Sequence, residues 1–166
     1  ATPKPRLEEI SAEVLDAVNR FLQVQDTFDS HCFPDLTIFR LLLLSPGRAV
    51  FRLRCSSKLH KNTGGFVHGG FLATVVDIAT TAAVMTKSID SEAGASVDLH
   101  VSYISPVEVE RDYVVDARVQ KCGRRLAFTD CSIGPAGDSE TTIGPVVCRG
   151  IHSKALSLSG LPPAKL

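Results

Sequence analysis

The sequence predicts an α+β domain, an antiparallel sheet curled around one long central helix, with an extra helix at the N-terminus. Three observations carry this. Gly69 to Thr86 is the longest apolar stretch; it lacks proline and has Ala, Leu, Val or Ile on every side of a helical projection. Runs of alternating apolar and polar residues precede and follow it. A helix apolar all round must be covered, so the strands have to wrap it.

Residues 1–6, with two prolines, read as a flexible arm. Leu7, Ile10, Val14, Val18 and Phe21 recur at helical spacing, widened by Leu15 and Leu22, which predicts an amphipathic helix over 7–23. Residues 24–35 are polar and read as a connector. A strand runs from Leu36 to Leu44, and Ser45-Pro46-Gly47 turns the chain. Ala49, Phe51, Leu53 and Cys55 then alternate with Arg48, Arg52 and Arg54, the second strand of a hairpin. Beyond the buried helix, Val97, Leu99, Val101 and Tyr103 alternate with Ser96, Asp98, His100 and Ser102. Val115, Ala117 and Val119 form the next strand, Leu126 to Ile133 another and Ile143 to Ser153 the last. One domain thus spans 7–155, and residues 156–166 read as a flexible tail.

The 166 residues carry 18 basic and 18 acidic side chains, so no cationic surplus exists to hold a nucleic-acid backbone. Cys32, Cys55, Cys122, Cys131 and Cys148 are odd in number, scattered and free of any CxxC pair. Neither a zinc site nor a disulfide framework is expected, and reduced thiols fit the cytoplasm or a mitochondrial matrix. The N-terminal residues lack the apolar core of a secretory signal, though a removed transit peptide stays open. No run is apolar enough to span a membrane.

The chemistry concentrates on the long helix. Glycine at its start, Gly69-Gly70, exposes backbone N–H groups that lack intrahelical partners and sit at the positive end of the helix dipole. Such a terminus can stabilise an oxygen that gains negative charge; an ordinary loop eased by glycine is the plainer alternative. Asp77 is the sole charged residue between Lys61 and Lys87. A lone carboxylate in an apolar helix is costly, which marks it as functional or as bonded to neighbours such as Thr80 and Thr81. Gly69 and Asp77 lie eight residues apart, about 12 Å along one axis. From a single helix they cannot readily meet at one small reacting group, whereas two helices related by a two-fold axis could bring them together.

The run Asn62-x-x-Gly-x-x-His68-Gly69-Gly70, with Asp77 seven residues on, resembles the hotdog-fold thioesterases of the phenylacetate-pathway and small eukaryotic acyl-CoA subgroup. Ser96-Val97-Asp98, Tyr103-Ile-Ser105-Pro106, Gly123-Arg-Arg-Leu-Ala-Phe-Thr129 and Gly150-Ile-His-Ser-Lys154 extend the likeness over about residues 36–155. The resemblance implies hydrolysis of a fatty or aryl acyl-CoA without metal or further cofactor, CoA being part of the substrate. Asp77 would be the base, or else a nucleophile. Gly69 N–H would polarise the carbonyl, Asn62 and His68 would hold the thioester or water, and Ser96 would bind the attacking water. Gly70, Tyr103, Ser105 and Pro106 would lie along CoA, as would the turn Lys121, Gly123, Arg124, Arg125 and Leu126. Lys58 is a further phosphate candidate. A homodimer, paired into a dimer of dimers, is expected.

Two departures accompany this. Glu108 stands where relatives can carry a base, and simple alternation places Ser96 on the polar face, so that reaching the site needs that face to line the subunit junction or a bulge near Gly94. His152 matches the family motif but reads as a structural hydrogen-bonding group, and His100 as a surface residue. Rival readings are a hotdog enoyl-thioester hydratase using His68, a non-catalytic acyl-CoA binder, and a subunit that only dimerises. No Gly-x-Ser-x-Gly elbow exists, which excludes an α/β-hydrolase thioesterase.

Overall fold

A computed structural model describes residues 6–35 and 37–156. The rest of the expected arm, residues 1–5, and of the tail, 157–166, lies outside the described residues. The elements are β1 (Arg6–Leu7), α1 (Ala12–Leu22), α2 (Phe28–Cys32), β2 (Phe39–Ser45), β3 (Arg48–Arg54) and α3 (Gly69–Met85). A 3₁₀ turn (Ile89–Ser91) leads to β4 (Ala95–Tyr103), β5 (Asp112–Cys122), β6 (Leu126–Pro135) and β7 (Cys148–Ala155). The strands form one sheet ordered β1-β2-β3-β5-β6-β7-β4, antiparallel except for the short β1–β2 pair. β4 is therefore an edge strand, paired with β7 on one side alone among the described residues.

The sheet wraps α3, as the apolar stretch requires. Val75, Val76, Ala79, Ala82 and Ala83 pack against Phe51, Tyr113, Val115, Ile133 and Cys148, all buried. Each fully buried aliphatic side chain here contributes about 1.5–3 kcal/mol. Helix and sheet approach most closely at Gly150, where a Cβ would fall 2.4 Å from Val76 Cγ1. The helix is not covered all round, however. Gly70, Ala73, Thr74 and Asp77, spaced i, i+3, i+4 and i+7, form one partly exposed stripe.

The sequence boundaries shift where a specific group intervenes. The N-terminal helix begins at Ala12 because Ser11 caps it, its hydroxyl accepting from Val14 N–H at 3.4 Å. Arg6 and Leu7, assigned above to the arm and the helix, instead pair with Leu43 and Leu44. The connector contains α2, nucleated by reciprocal bonds between Thr27 and Ser30. The last strand starts at Cys148, not Ile143: Gly144 and Pro145 interrupt it. Ile143 turns instead onto the outer sheet face beside Leu42, Leu43, Val50 and Val114. Leu156, assigned to the tail, is buried against Val84 and Ala127.

Candidate active site

The expected site residues fall into two groups, one at the start of α3 and the Tyr103 end of β4, the other at the middle of α3 and the Ser96 end of β4. The first surrounds the start of α3. The Asn62 carboxamide oxygen accepts from Gly64 N–H at 2.8 Å and Phe66 N–H at 3.1 Å, folding the loop and leaving its NH₂ as a donor. His68 is the N-cap of α3, its Nδ1 accepting from Gly70 N–H at 2.9 Å. That bond places the neutral ring's proton on Nε2. Gly69 N–H has no acceptor among the described residues. The Tyr103 hydroxyl donates to Gly69 carbonyl oxygen at 2.9 Å, and its ring lies 3.2 Å from where a Gly69 Cβ would be. Glycine is thus needed for the ring to lie flat on the helix start. Asn62, Gly69, Tyr103, Ser105 and Pro106 all line one cleft of about 370 Å³, walled by Phe66, Val67 and Leu72.

The second group is built on Asp77, two turns further along. Thr81 Oγ donates to Asp77 main-chain oxygen at 2.7 Å and reaches Oδ1 at 3.3 Å. Lys154 Nζ, from β7, lies 3.7 Å from the same Oδ1, and His152 Nδ1 lies 3.8 Å from it. Thr80 Oγ, whose single proton is claimed by Val76 carbonyl oxygen at 2.7 Å, accepts from His152 Nδ1 at 2.7 Å. His152 Nε2 is then an acceptor, and Ser96 Oγ donates to it at 2.9 Å. Burial and the charge of Lys154 press His152 down to about 4, so it is neutral near pH 7.

Ser96 reaches this network because β4 carries a bulge. The pairing jumps from Ser96↔Lys154 to Asp98↔Ser153, which leaves Val97 unpaired and 61% exposed. Strict alternation fails here: Ser96 shares the helix-facing side with Leu99 and Val101, and Val97 is turned out. The deviation lies at Val97 rather than at Gly94. From Ser96 to Tyr103 is seven residues, about 23 Å of strand. The two groups are therefore separated along both α3 and β4.

Lys121, Gly123, Arg124, Arg125 and Leu126 form the exposed β5–β6 turn, next to the β4 end that bears Ser96. Among the described residues Lys121, Arg124 and Arg125 have no ion-pair partner. Lys58 is exposed and stands outside the cleft lining. The out-of-place Glu108 is paired with Arg111 at 3.0 Å. All five cysteines are free; burial raises Cys55 to about 12 and Cys148 to about 11, which makes them unreactive packing groups.

His152 is the structural hydrogen-bonding group the sequence suggested, but residue reading alone missed the role of Lys154 beneath Asp77. The signal was the period of two along β7: Cys148, Gly150, His152 and Lys154 all face inward. His60 was also passed over. It is buried, stacks on Phe71 at 3.9 Å and contacts Cys32 carbonyl oxygen at 2.9 Å, tying α2 to the helix start.

A seven-stranded sheet wrapped on one long helix defines the hotdog fold. The chain belongs to the thioesterase superfamily, whose family model matches residues 64–141. It is 32% identical over 116 residues to acyl-coenzyme A thioesterase 13 of Homo sapiens, covering 70% of this chain and 78% of that protein. The crystal structure of zebra fish thioesterase superfamily member 2 superposes with a TM-score of 0.73 at 29% identity, over 86% of this chain and 96% of that one. The phenylacetic acid degradation protein PaaI of Thermus thermophilus shares the fold, with a TM-score of 0.61 at 21% identity over 74% and 98% of the two chains. The expected α+β hotdog architecture and thioesterase class both hold. No helix among the described residues is long and apolar enough to cross a membrane.

Proposed function

We propose that this thioesterase hydrolyses fatty or aryl acyl-CoA, as a homodimer whose two sites each take Asn62 and Gly69 from one subunit and Asp77 and Ser96 from the other. The observation that carries this is the separation of the two residue groups, with the free edge of β4 and the exposed stripe of α3 between them. Antiparallel pairing of β4 with its two-fold mate would set the Ser96 end of each strand beside the partner's Tyr103 end. The same axis, passing near Ala73, would bring each Gly69 toward the partner's Asp77. Two such dimers pairing is the further expectation.

In that site the thioester carbonyl accepts hydrogen bonds from Gly69 N–H and the Asn62 NH₂. Asp77 takes one proton from a water while Ser96 Oγ, already donating to His152, accepts its other hydrogen. The water oxygen bonds to the carbonyl carbon, the C–S bond breaks, and CoA leaves as a thiolate, a good leaving group because thiols are acidic. His68 serves as a cap that holds the helix start, a role that leaves the hydratase reading without its acid–base pair. Tyr103, Ser105 and Pro106 would flank the pantetheine, while Lys121, Arg124, Arg125 and Lys58 would meet the phosphates. Reduced thiols suit cytoplasm or mitochondrial matrix.

The test is thiol release from short, long and aryl acyl-CoAs by the parent and by Asp77→Asn. Turnover by the parent and its fall by about 10²- to 10⁴-fold in the folded variant are expected. An Asn variant with undiminished turnover would remove Asp77 from the mechanism. CoA binding by the parent without hydrolysis would favour the binder reading.

A further inference from the structure

Lys154 is the only lysine or arginine buried among the described residues, with 4% of its surface exposed. An ammonium in that position costs several kcal/mol to desolvate, and a half-exposed carboxylate at 3.7 Å does not fully offset it. An apolar side chain there would pack against α3 at lower cost. Lys154 makes one direct hydrogen bond, Nζ to Thr81 Oγ at 2.8 Å, and Thr81 in turn gives its proton to the Asp77 main-chain oxygen at 2.7 Å, with Oδ1 further off at 3.3 Å. Every contact of the Asp77 carboxylate, from Thr81, Lys154 and His152, falls on Oδ1. Oδ2 has no partner among the described residues.

On the reading that Asp77 is the base, we propose that Lys154 is a positioning residue for catalysis. Its ammonium, anchored on Thr81, holds Oδ1 across 3.7 Å and leaves Oδ2 to take the proton from water. Its charge acts through a buried path, where screening by solvent is weak. The other charged or titratable groups facing Asp77 are His152 on β7, which is neutral, and Asp29 on α2. Asp29 works in the opposite sense: its own carboxyl is pushed up by burial and by the charge of Asp77. Lys154 is thus the cation that counters a second acid as well as holding the first. Burial lowers the Lys154 ammonium and Asp77 raises it, as expected of groups that support each other's charge.

The experiment compares parent, Lys154→Met and Thr81→Val for kcat and KM across pH 4–9, with thermal melting alongside. For Lys154→Met we expect a fall in kcat of roughly tenfold at neutral pH, as for loss of one close counter-charge. KM should stay within about twofold, because Lys154 lies beneath the helix and away from substrate. The acid limb of the kcat profile should move to higher pH, and the melting temperature should hold or rise. Thr81→Val, nearly the same shape, should give a smaller loss of kcat and a limb shift of the same sign. An active parent whose Lys154→Met variant keeps both kcat and acid limb overturns this role. So does a loss that comes with a lower melting temperature, a raised KM and an unmoved limb. A parent that releases no thiol defeats the proposed function itself, and this role falls with it.

Discussion

The start and the middle of α3, the Gly69 end of the site and its Asp77 end, are built in opposite ways. At the Gly69 end the working groups are backbone and loop: an N–H without a partner, a carboxamide folded into its own turn, a histidine capping its own helix. The side-chain bonds of Asn62 and His68 are made within a few residues, while Tyr103 and the Val67–Val107 pairing reach in from further along the chain. At the Asp77 end the working groups are side chains drawn from α3, β4 and β7, with partners more than fifty residues apart. One end is a local structure that any helix start of this composition would form. The other exists only once the sheet has closed on the helix. On the proposed mechanism, electrophilic assistance rests largely on local structure, whereas base chemistry depends on the completed core.

The strongest way to break this comparison is to separate the ends genetically. Asn62→Ala should lose about 10²-fold in kcat and Asp77→Asn at least as much. Mixed and allowed to exchange subunits, the two inactive proteins should recover about a quarter of parental activity. Half the dimers are then mixed, and each mixed dimer has one site with both ends intact. Absence of recovery would mean that each site is complete within one subunit.

The next test exploits pH, to which His152 beside Asp77 should respond more strongly than His60 near the helix start, both being held low by burial. His152 is held neutral to about 4, but in the unfolded chain it titrates near 6.5. As pH falls through that window the unfolded chain takes up a proton that the folded one refuses. Stability therefore drops with falling pH, by on the order of 3 kcal/mol in full. Denaturant midpoints measured from pH 7 to pH 4 should fall for the parent and fall much less for His152→Gln. An equal fall in both would assign the acid sensitivity elsewhere.

The smallest effect sharpens the role of packing. Gly150→Ala should cost about 1–3 kcal/mol, because the added Cβ meets Val76 Cγ1 and lifts α3 from β7. Its melting temperature should fall by a few degrees, while CoA contacts at the β5–β6 turn stay unchanged. A melting temperature equal to the parent's would show that the helix height is adjustable.

The same contrast explains what could be read in the amino-acid string. The apolar stretch 69–86, the Arg/apolar alternation of β3 and the glycines of the helix start are local patterns, and each became the element it suggested. Asp77 stood out because its neighbours are uncharged. The family likeness brought Asn62, His68 and Ser96 into view. Alternation mis-set Ser96 because a bulge at Val97 is a product of pairing with β7, and pairing is not written in β4 alone. Leu7 fits the helical stripe, yet the cap at Ser11 and the edge of β2 compete for that segment and win. Lys154 escaped notice because a lysine at the end of a strand looks like a solvated residue until tertiary contacts close over it.

The free edge of β4 has a kinetic consequence. If each site is shared across that edge, the enzyme carries its own mass-action dependence. Below the dissociation constant of the pair, the paired fraction rises in proportion to total chain, so hydrolysis rate grows with the square of enzyme concentration. Acyl-CoA bound across the seam would draw subunits together, making the substrate an assembly factor for the enzyme that consumes it.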